Sequence, residues 1–179
     1  MCGRSEYKYT FIGKPCHASN PSQGINAIEL ASNANNRIID YAKQISKLQH
    51  SFMKPPTCAI TMIEGGVKAN IIPETCDIVI DRRTMPTENP TQVGTDLEEL
   101  LTDLNHKTEI IMEVGPAEIP FDSQISQAVW KNTNKFNGNK PIKWGTPCGS
   151  DVRNFNDVNI FDRTSEPKKS KNGNIGFSI

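Results

Sequence analysis

The sequence predicts an α+β sandwich with elements in the order β-α-β-β-α-β across residues 5 to 115, followed by a shorter α/β segment. Three observations carry this expectation: period-two alternation in separated stretches, apolar spacing of three to four residues in two longer ones, and turn chemistry wherever the period changes.

The first strand is expected over Glu6 to Ile12, where Tyr7, Tyr9 and Phe11 alternate with Lys8 and Thr10. Gly13-Lys14-Pro15 breaks it, and the Pro-, Ser-, Asn- and Gly-rich stretch up to Gly24 reads as an irregular connection. From Asn26 to Leu48 the apolar residues Ala27, Ala31, Ala34, Ile38, Ala42, Ile45 and Leu48 recur at helical spacing, about six turns in all. Pro55-Pro56 stops any continuation, and Thr57 to Glu64, rich in β-branched residues, predicts a second strand closed by Gly65-Gly66. Cys76 to Asp81 predicts a third, with Ile78 and Ile80 on one face and Val79 on the other. Asn89-Pro90 is a cap followed by proline, and Val93, Leu97, Leu100, Leu101 and Leu104 form the stripe of a second helix. Thr108 to Val114 completes the set. The order is that of the ferredoxin-like or split βαβ sandwich, a four-stranded antiparallel sheet with both helices on one face.

After Gly115-Pro116 the pattern restarts, with a helix expected from Ser123 to Phe136, a strand at Pro141 to Trp144, the loop Gly145 to Asp151 and a short helix beginning near Asp151. Roughly 45 residues cannot bury enough apolar surface to stand alone, so residues 116–161 should dock on the first unit or belong to something larger. Residues 162–179 are polar and aperiodic, a composition that predicts disorder.

Composition narrows the function. Twenty basic residues balance twenty acidic ones, which removes the electrostatic footprint of a nucleic-acid binder. No run approaches the roughly 18 apolar residues of a membrane helix, and no apolar stretch follows Met1 to Arg4 as in a secretory signal, so a cytoplasmic protein is expected. Five widely spaced cysteines without a Cys-x-x-Cys pair read as reduced thiols. The histidines His17, His50 and His106 form no metal-binding spacing, so no metal site is expected from this chain.

Three stretches could carry chemistry. His17 lies in the loop before the long helix, where a surface histidine is usually only solvated although loops host much function. Asn70 lies in the turn after Gly65-Gly66. Arg82 and Arg83 follow the third strand, and because neighbours on a strand point to opposite faces, one should lie on the helix-covered side or its rim and the other on the open face. Gly145 to Asp151 offers backbone amides to an anion but matches no phosphate-loop spacing. Glu98-Glu99 resembles a carboxylate dyad, yet the leucine stripe puts both on the solvated side of their helix. The Tyr7, Tyr9, Phe11 row is better read as core than as a stacking platform for RNA.

Taken in order, GKPCHASNPSQGINAIE, GGVKANIIPE, DRRTMPTE and GTPCGSD resemble the lid half of the M20 zinc deacylases and peptidases, over about residues 5 to 160. The resemblance implies that residues 5–115 are a lid and dimerisation domain and that residues 116–161 are part of a catalytic domain. In that family two zinc ions are held by the catalytic half through a His-x-Asp pair, an Asp, a Glu-Glu pair and a late His. Those ligands have no match here, so the chain alone is expected to be inactive. His17 resembles the lid histidine that reaches into the partner subunit's site and stabilises an oxyanion. Asn70, Gly149 and Ser150 resemble substrate-binding positions, and Arg83 resembles the arginine that grips a substrate carboxylate through two parallel charge-assisted bonds. The implied reaction is cleavage of an N-acyl-amino acid or peptide amide bond.

Two other classes remain open from sequence. The strand Thr57 to Glu64, an uncharged edge until Glu64, together with the helix Asn26 to Leu48, suggests a self-associating module, a symmetric homodimer. A regulatory domain binding a small carboxylate through Arg83 and Asn70 is the third.

Overall fold

The computed structural model describes residues 1–137 and Gly145. In chain order the elements are β1 (Gly3–Ile12), β2 (Cys16–His17), α1 (Ala27–Ile45), β3 (Thr57–Gly65), β4 (Ile71–Ile72), β5 (Thr75–Thr84), α2 (Pro90–Leu101), β6 (His106–Val114) and α3 (Gln124–Asn137). The main sheet has the order β3-β5-β1-β6 with every pairing antiparallel, which is the predicted sandwich.

Alternation explains which face is covered. Tyr7, Tyr9 and Phe11 of β1 and Cys76, Ile78 and Ile80 of β5 are buried on one side. There they join Ala27, Ala31, Ala34 and Ile38 of α1 and Val93, Leu97 and Leu101 of α2 in a single core. The aromatic row is therefore packing, as its period suggested. Alanines at the α1 contact let that helix lie close to the sheet, and its polar residues face outward.

The helix ends follow from capping chemistry. The Asn26 side chain accepts a hydrogen bond from the Ile28 amide at 3.0 Å and donates to Glu29 at 3.0 Å, satisfying donors that the first turn leaves open. Asn89 does the same for Thr91, with Pro90 in the first turn. Where Leu48 was expected to end α1, the helix stops at Ile45, and residues 46–48 turn away through Leu48 N–H to the Ile45 carbonyl at 3.0 Å. Arg37 clamps α1 to the end of α2, donating to the Leu100 carbonyl at 3.0 Å and to Asp103 at 2.8 Å.

The strands run longer than the apolar pattern alone indicated. β5 continues through Arg82 and Thr84, both fully buried, and β1 begins at Gly3 beside Thr84. Polar residues at inward positions interrupted the hydrophobic signal there. At Gly3 a side chain would meet the Thr84 hydroxyl at 2.3 Å and the Val114 carbonyl at 2.7 Å, so glycine allows β1, β5 and β6 to converge.

The two sheet edges differ. β6 alternates charges, Lys107, Glu109 and Glu113, along its length, a pattern that discourages pairing with another strand. β3 carries none from Thr57 to Ile63, exposes Met62 and Ile63, and is bulged between Ile60 and Met62. No helix among the described residues is long and apolar enough to cross a membrane. The expected strand at Pro141 to Trp144, the loop residues Gly149 and Ser150, the short helix near Asp151 and the tail 162–179 lie outside the described residues.

Candidate functional site

At one end of the sheet the connections between β1 and α1 and between β3 and β5 come together as a second, two-stranded ribbon, which the sequence pattern did not reveal. Cys16 pairs with Ile72 and His17 with Ile71, and the Ala18 amide donates to the Asn70 carbonyl at 3.0 Å. Two residues at either side of such short strands carry too little periodicity to be seen. The ribbon is fixed to the body by Gly13 N–H to the Glu74 carbonyl at 2.7 Å and by Ala27 N–H to the Pro73 carbonyl at 3.2 Å. A bridge between Lys14 and Ile25 closes the base of the His17 loop. Gly24 stands against it so closely that a side chain there would meet Cys16 Sγ at 2.5 Å and the Lys14 carbonyl at 2.7 Å.

His17 and Asn70 are thus neighbours, both exposed at the tip. The His17 ring folds back over its own turn: Nδ1 lies 2.7 Å from the Ser19 hydroxyl and 3.2 Å from the Ser19 amide. The turn is held by Asn20 N–H to the His17 carbonyl at 2.9 Å. Ser19 is a participant that the motif reading passed over.

Arg82 and Arg83 separate as strand geometry requires. Arg83 lies on the open face, where its Nε donates to Asp81 Oδ1 at 2.6 Å and Nη2 to Oδ2 at 3.2 Å. Arg4, its cross-strand neighbour, donates to the same carboxylate at 2.8 Å. Burial alone would raise the Asp81 carboxyl, but hydrogen bonds from Arg83 and Arg4 outweigh it and hold the group below its ordinary range. Arg4 also pairs with Glu6, so two arginines and two carboxylates form a balanced network on the open face, and Arg83 can meet an incoming carboxylate only by sharing or leaving Asp81.

Arg82 has the opposite fate. Its side chain is wholly buried, with Nε donating to the Tyr41 hydroxyl at 3.3 Å and the guanidinium 5.6 Å from the Tyr41 ring centre. It also bonds to Glu88 and to the Arg83 carbonyl. Burial disfavours its charge, and the Tyr41 hydroxyl and Glu88 more than compensate. Arg82 is a structural cation that joins β5 to α1 and to the turn before α2.

Arg83 and His17 do not meet within one chain. Arg83 is eight residues along β5 from Thr75, the end nearest the ribbon, or about 26 Å at about 3.3 Å per residue. Arg83 shares its end of the sheet with Thr57, its partner on β3, and the loop before Thr57 reaches Gly145, whose amide donates to the Phe52 carbonyl at 2.9 Å.

Of the two glutamates on α2, Glu98 turns toward the sheet and lies 3.2 Å from His106 Nε2, while Glu99 is exposed, so they form no dyad. Among the described residues no group of three or more His, Cys, Asp or Glu side chains is placed to hold a metal ion. The donor set here does not fit a two-metal centre, and no chemical step is assigned to a metal on these residues.

The family model of the peptidase dimerisation domain of M20 enzymes matches residues 2–109, and the chain belongs to that family. It is 29% identical over 129 residues to acetylornithine deacetylase from Klebsiella pneumoniae (strain 342), covering 66% of this chain and 34% of that protein. A tripeptidase from Staphylococcus aureus superposes with a TM-score of 0.60 at 19% identity, over 86% of this chain and 41% of that one. An M20 family metallo-carboxypeptidase from Sulfolobus solfataricus gives 0.62 at 15% identity, over 87% and 48%. Family members are hydrolases, and the chain spans about a third of the length of its deacetylase relative.

Proposed function

We propose that this chain supplies the lid and the dimer contacts of a metal-dependent amidohydrolase that cleaves N-acyl-amino acids or peptides. In this reading Arg83 grips the substrate carboxylate, Asn70 binds substrate, and His17 donates to the oxyanion of the tetrahedral intermediate. Residues 5–115 act as the lid, and residues 116–161 belong to the catalytic domain. Gly149 and Ser150 contact substrate. The metal centre, two zinc ions by the family pattern, is provided by groups beyond this set.

The observation that carries the proposal is the placement of His17 beside Asn70 at one end of the sheet and of Arg83 toward the other, about 26 Å along β5 from Thr75. One small substrate cannot span both. Each end therefore serves a different active site, and His17 acts on the partner subunit's substrate, which makes dimerisation a requirement of catalysis. The uncharged β3 edge supports an interface there, as does the adjoining groove, whose lining includes Ile38, Ile39 and Ala42 of α1 and Ile60 of β3.

Two measurements test this. Sedimentation of the chain at tens of micromolar, an order-of-magnitude choice for a modest interface, should show a dimer that Met62→Lys converts to monomer; a monomer from the start refutes the interface. In the complete enzyme carrying this lid, His17→Ala should lower turnover by about 100- to 1000-fold, as for loss of one oxyanion donor, with metal content unchanged. Tight binding of a small carboxylate by the isolated chain would instead favour a regulatory binding module.

A further inference from the structure

We infer that Ser19 is a positioning residue that fixes the tautomer of His17, keeping Nδ1 as the acceptor and the proton on Nε2. The geometry stands by itself; its catalytic meaning rests on the role proposed above for His17.

The argument turns on what each group is able to do. A backbone amide only donates, and the Ser19 amide lies 3.2 Å from Nδ1. A proton on Nδ1 would set two N–H groups against each other, so this nitrogen presents its lone pair. The Ser19 hydroxyl, 2.7 Å from the same atom, then also donates to it. The neutral ring must carry its proton on Nε2, on an exposed side chain at the tip of the ribbon. A fixed N–H donor is what a developing oxyanion requires, and a ring free to exchange tautomers would present a lone pair part of the time.

The other two imidazoles provide the contrast. His50 receives the Phe52 amide on Nδ1 at 3.3 Å, the same relation two residues on, but its Nε2 is directed to Glu118 at 3.5 Å. His106 has an acceptor on each side, the Leu104 carbonyl 2.7 Å from Nδ1 and Glu98 3.2 Å from Nε2, so its surroundings select no single neutral tautomer. Among the described residues, His17 alone combines a held Nδ1 with an exposed ring.

The test is nitrogen-15 NMR of the imidazoles in the whole 179-residue chain, recorded at about pH 9, where ordinary histidine is neutral. His17 should show an unprotonated Nδ1 and a protonated Nε2. Ser19→Thr, which keeps both donors, should leave the His17 pair unchanged. Ser19→Ala, which keeps the amide and loses the hydroxyl, should draw the two His17 resonances toward each other as the tautomers begin to average. A proton on His17 Nδ1, or an unaltered pair in Ser19→Ala, overturns the inference. In the complete enzyme Ser19→Ala should lower kcat about tenfold with KM unchanged, the size of one weakened donor, and Ser19→Thr should restore it. A silent His17→Ala beside the expected spectra refutes the proposed function and leaves the tautomer assignment standing. A crippling His17→Ala beside a silent Ser19→Ala refutes the inference and leaves the function standing.

Discussion

Removing the counter-ion of Arg82 should be among the most damaging single changes in this domain. Arg82 is fully buried, and Glu88 is the only carboxylate bonded to it among the described residues. Glu88 also accepts the Met85 amide at 2.7 Å, so Glu88→Ala strands a cation and a backbone donor together. Breaking a buried pair from one side costs about 3 to 5 kcal/mol, because the remaining charge keeps its desolvation penalty. The lost amide bond adds about 1 kcal/mol. Against the roughly 5 to 15 kcal/mol that holds an ordinary domain together, this is about a quarter or more of the total. Three contacts limit the damage: the Tyr41 hydroxyl, the Tyr41 ring and the Arg83 carbonyl remain on the guanidinium. They set the expectation at the lower end, about 4 kcal/mol with the amide included. Urea unfolding followed by circular dichroism measures it. Arg82→Met combined with Glu88→Gln removes both charges and should be more stable than Glu88→Ala alone, since no ion is left buried. A Glu88→Ala midpoint within about 0.5 kcal/mol of the unmodified chain, the range of ordinary surface changes, would show that water reaches Arg82 and that the burial argument is wrong.

Two further outcomes follow from the site. Asp81 is held below its ordinary range when folded, so its contribution to stability is complete above about pH 4, the unfolded value, and is lost as the pH falls through the lower folded value. The stability gap between the chain and Asp81→Asn should accordingly be widest near neutrality and shrink on acidification below about pH 4; a gap independent of pH would contradict the arginine contacts. Gly24→Ala forces a methyl against Cys16 and the Lys14 carbonyl, and should cost about 1 to 3 kcal/mol as overpacking does while shifting the His17 resonances; unchanged resonances would mean that the loop base does not position the ring.

How much of this was legible beforehand follows from the range of each interaction. The strands, both helices and their caps are written locally, in the alternation of Tyr7, Tyr9 and Phe11 and in Asn26 and Asn89. So was the division of Arg82 from Arg83, since neighbours on a strand must face apart. Which of the two lies inside was decided by the packing of α1 and α2 over one face. The extra length of β5 was hidden for the same reason, because Arg82 and Thr84 are inward positions filled by polar groups whose partners come from elsewhere in the chain. The ribbon that joins His17 to Asn70 depends on a pairing between residues more than fifty positions apart, and two-residue strands leave no period to detect. The sequence by itself determined the order of elements and the residue types available at the site. Only the tertiary structure decided that His17 and Asn70 share one end while Arg83 occupies the other, because that separation is set by the length and register of a sheet, and register is a property of chain segments brought together.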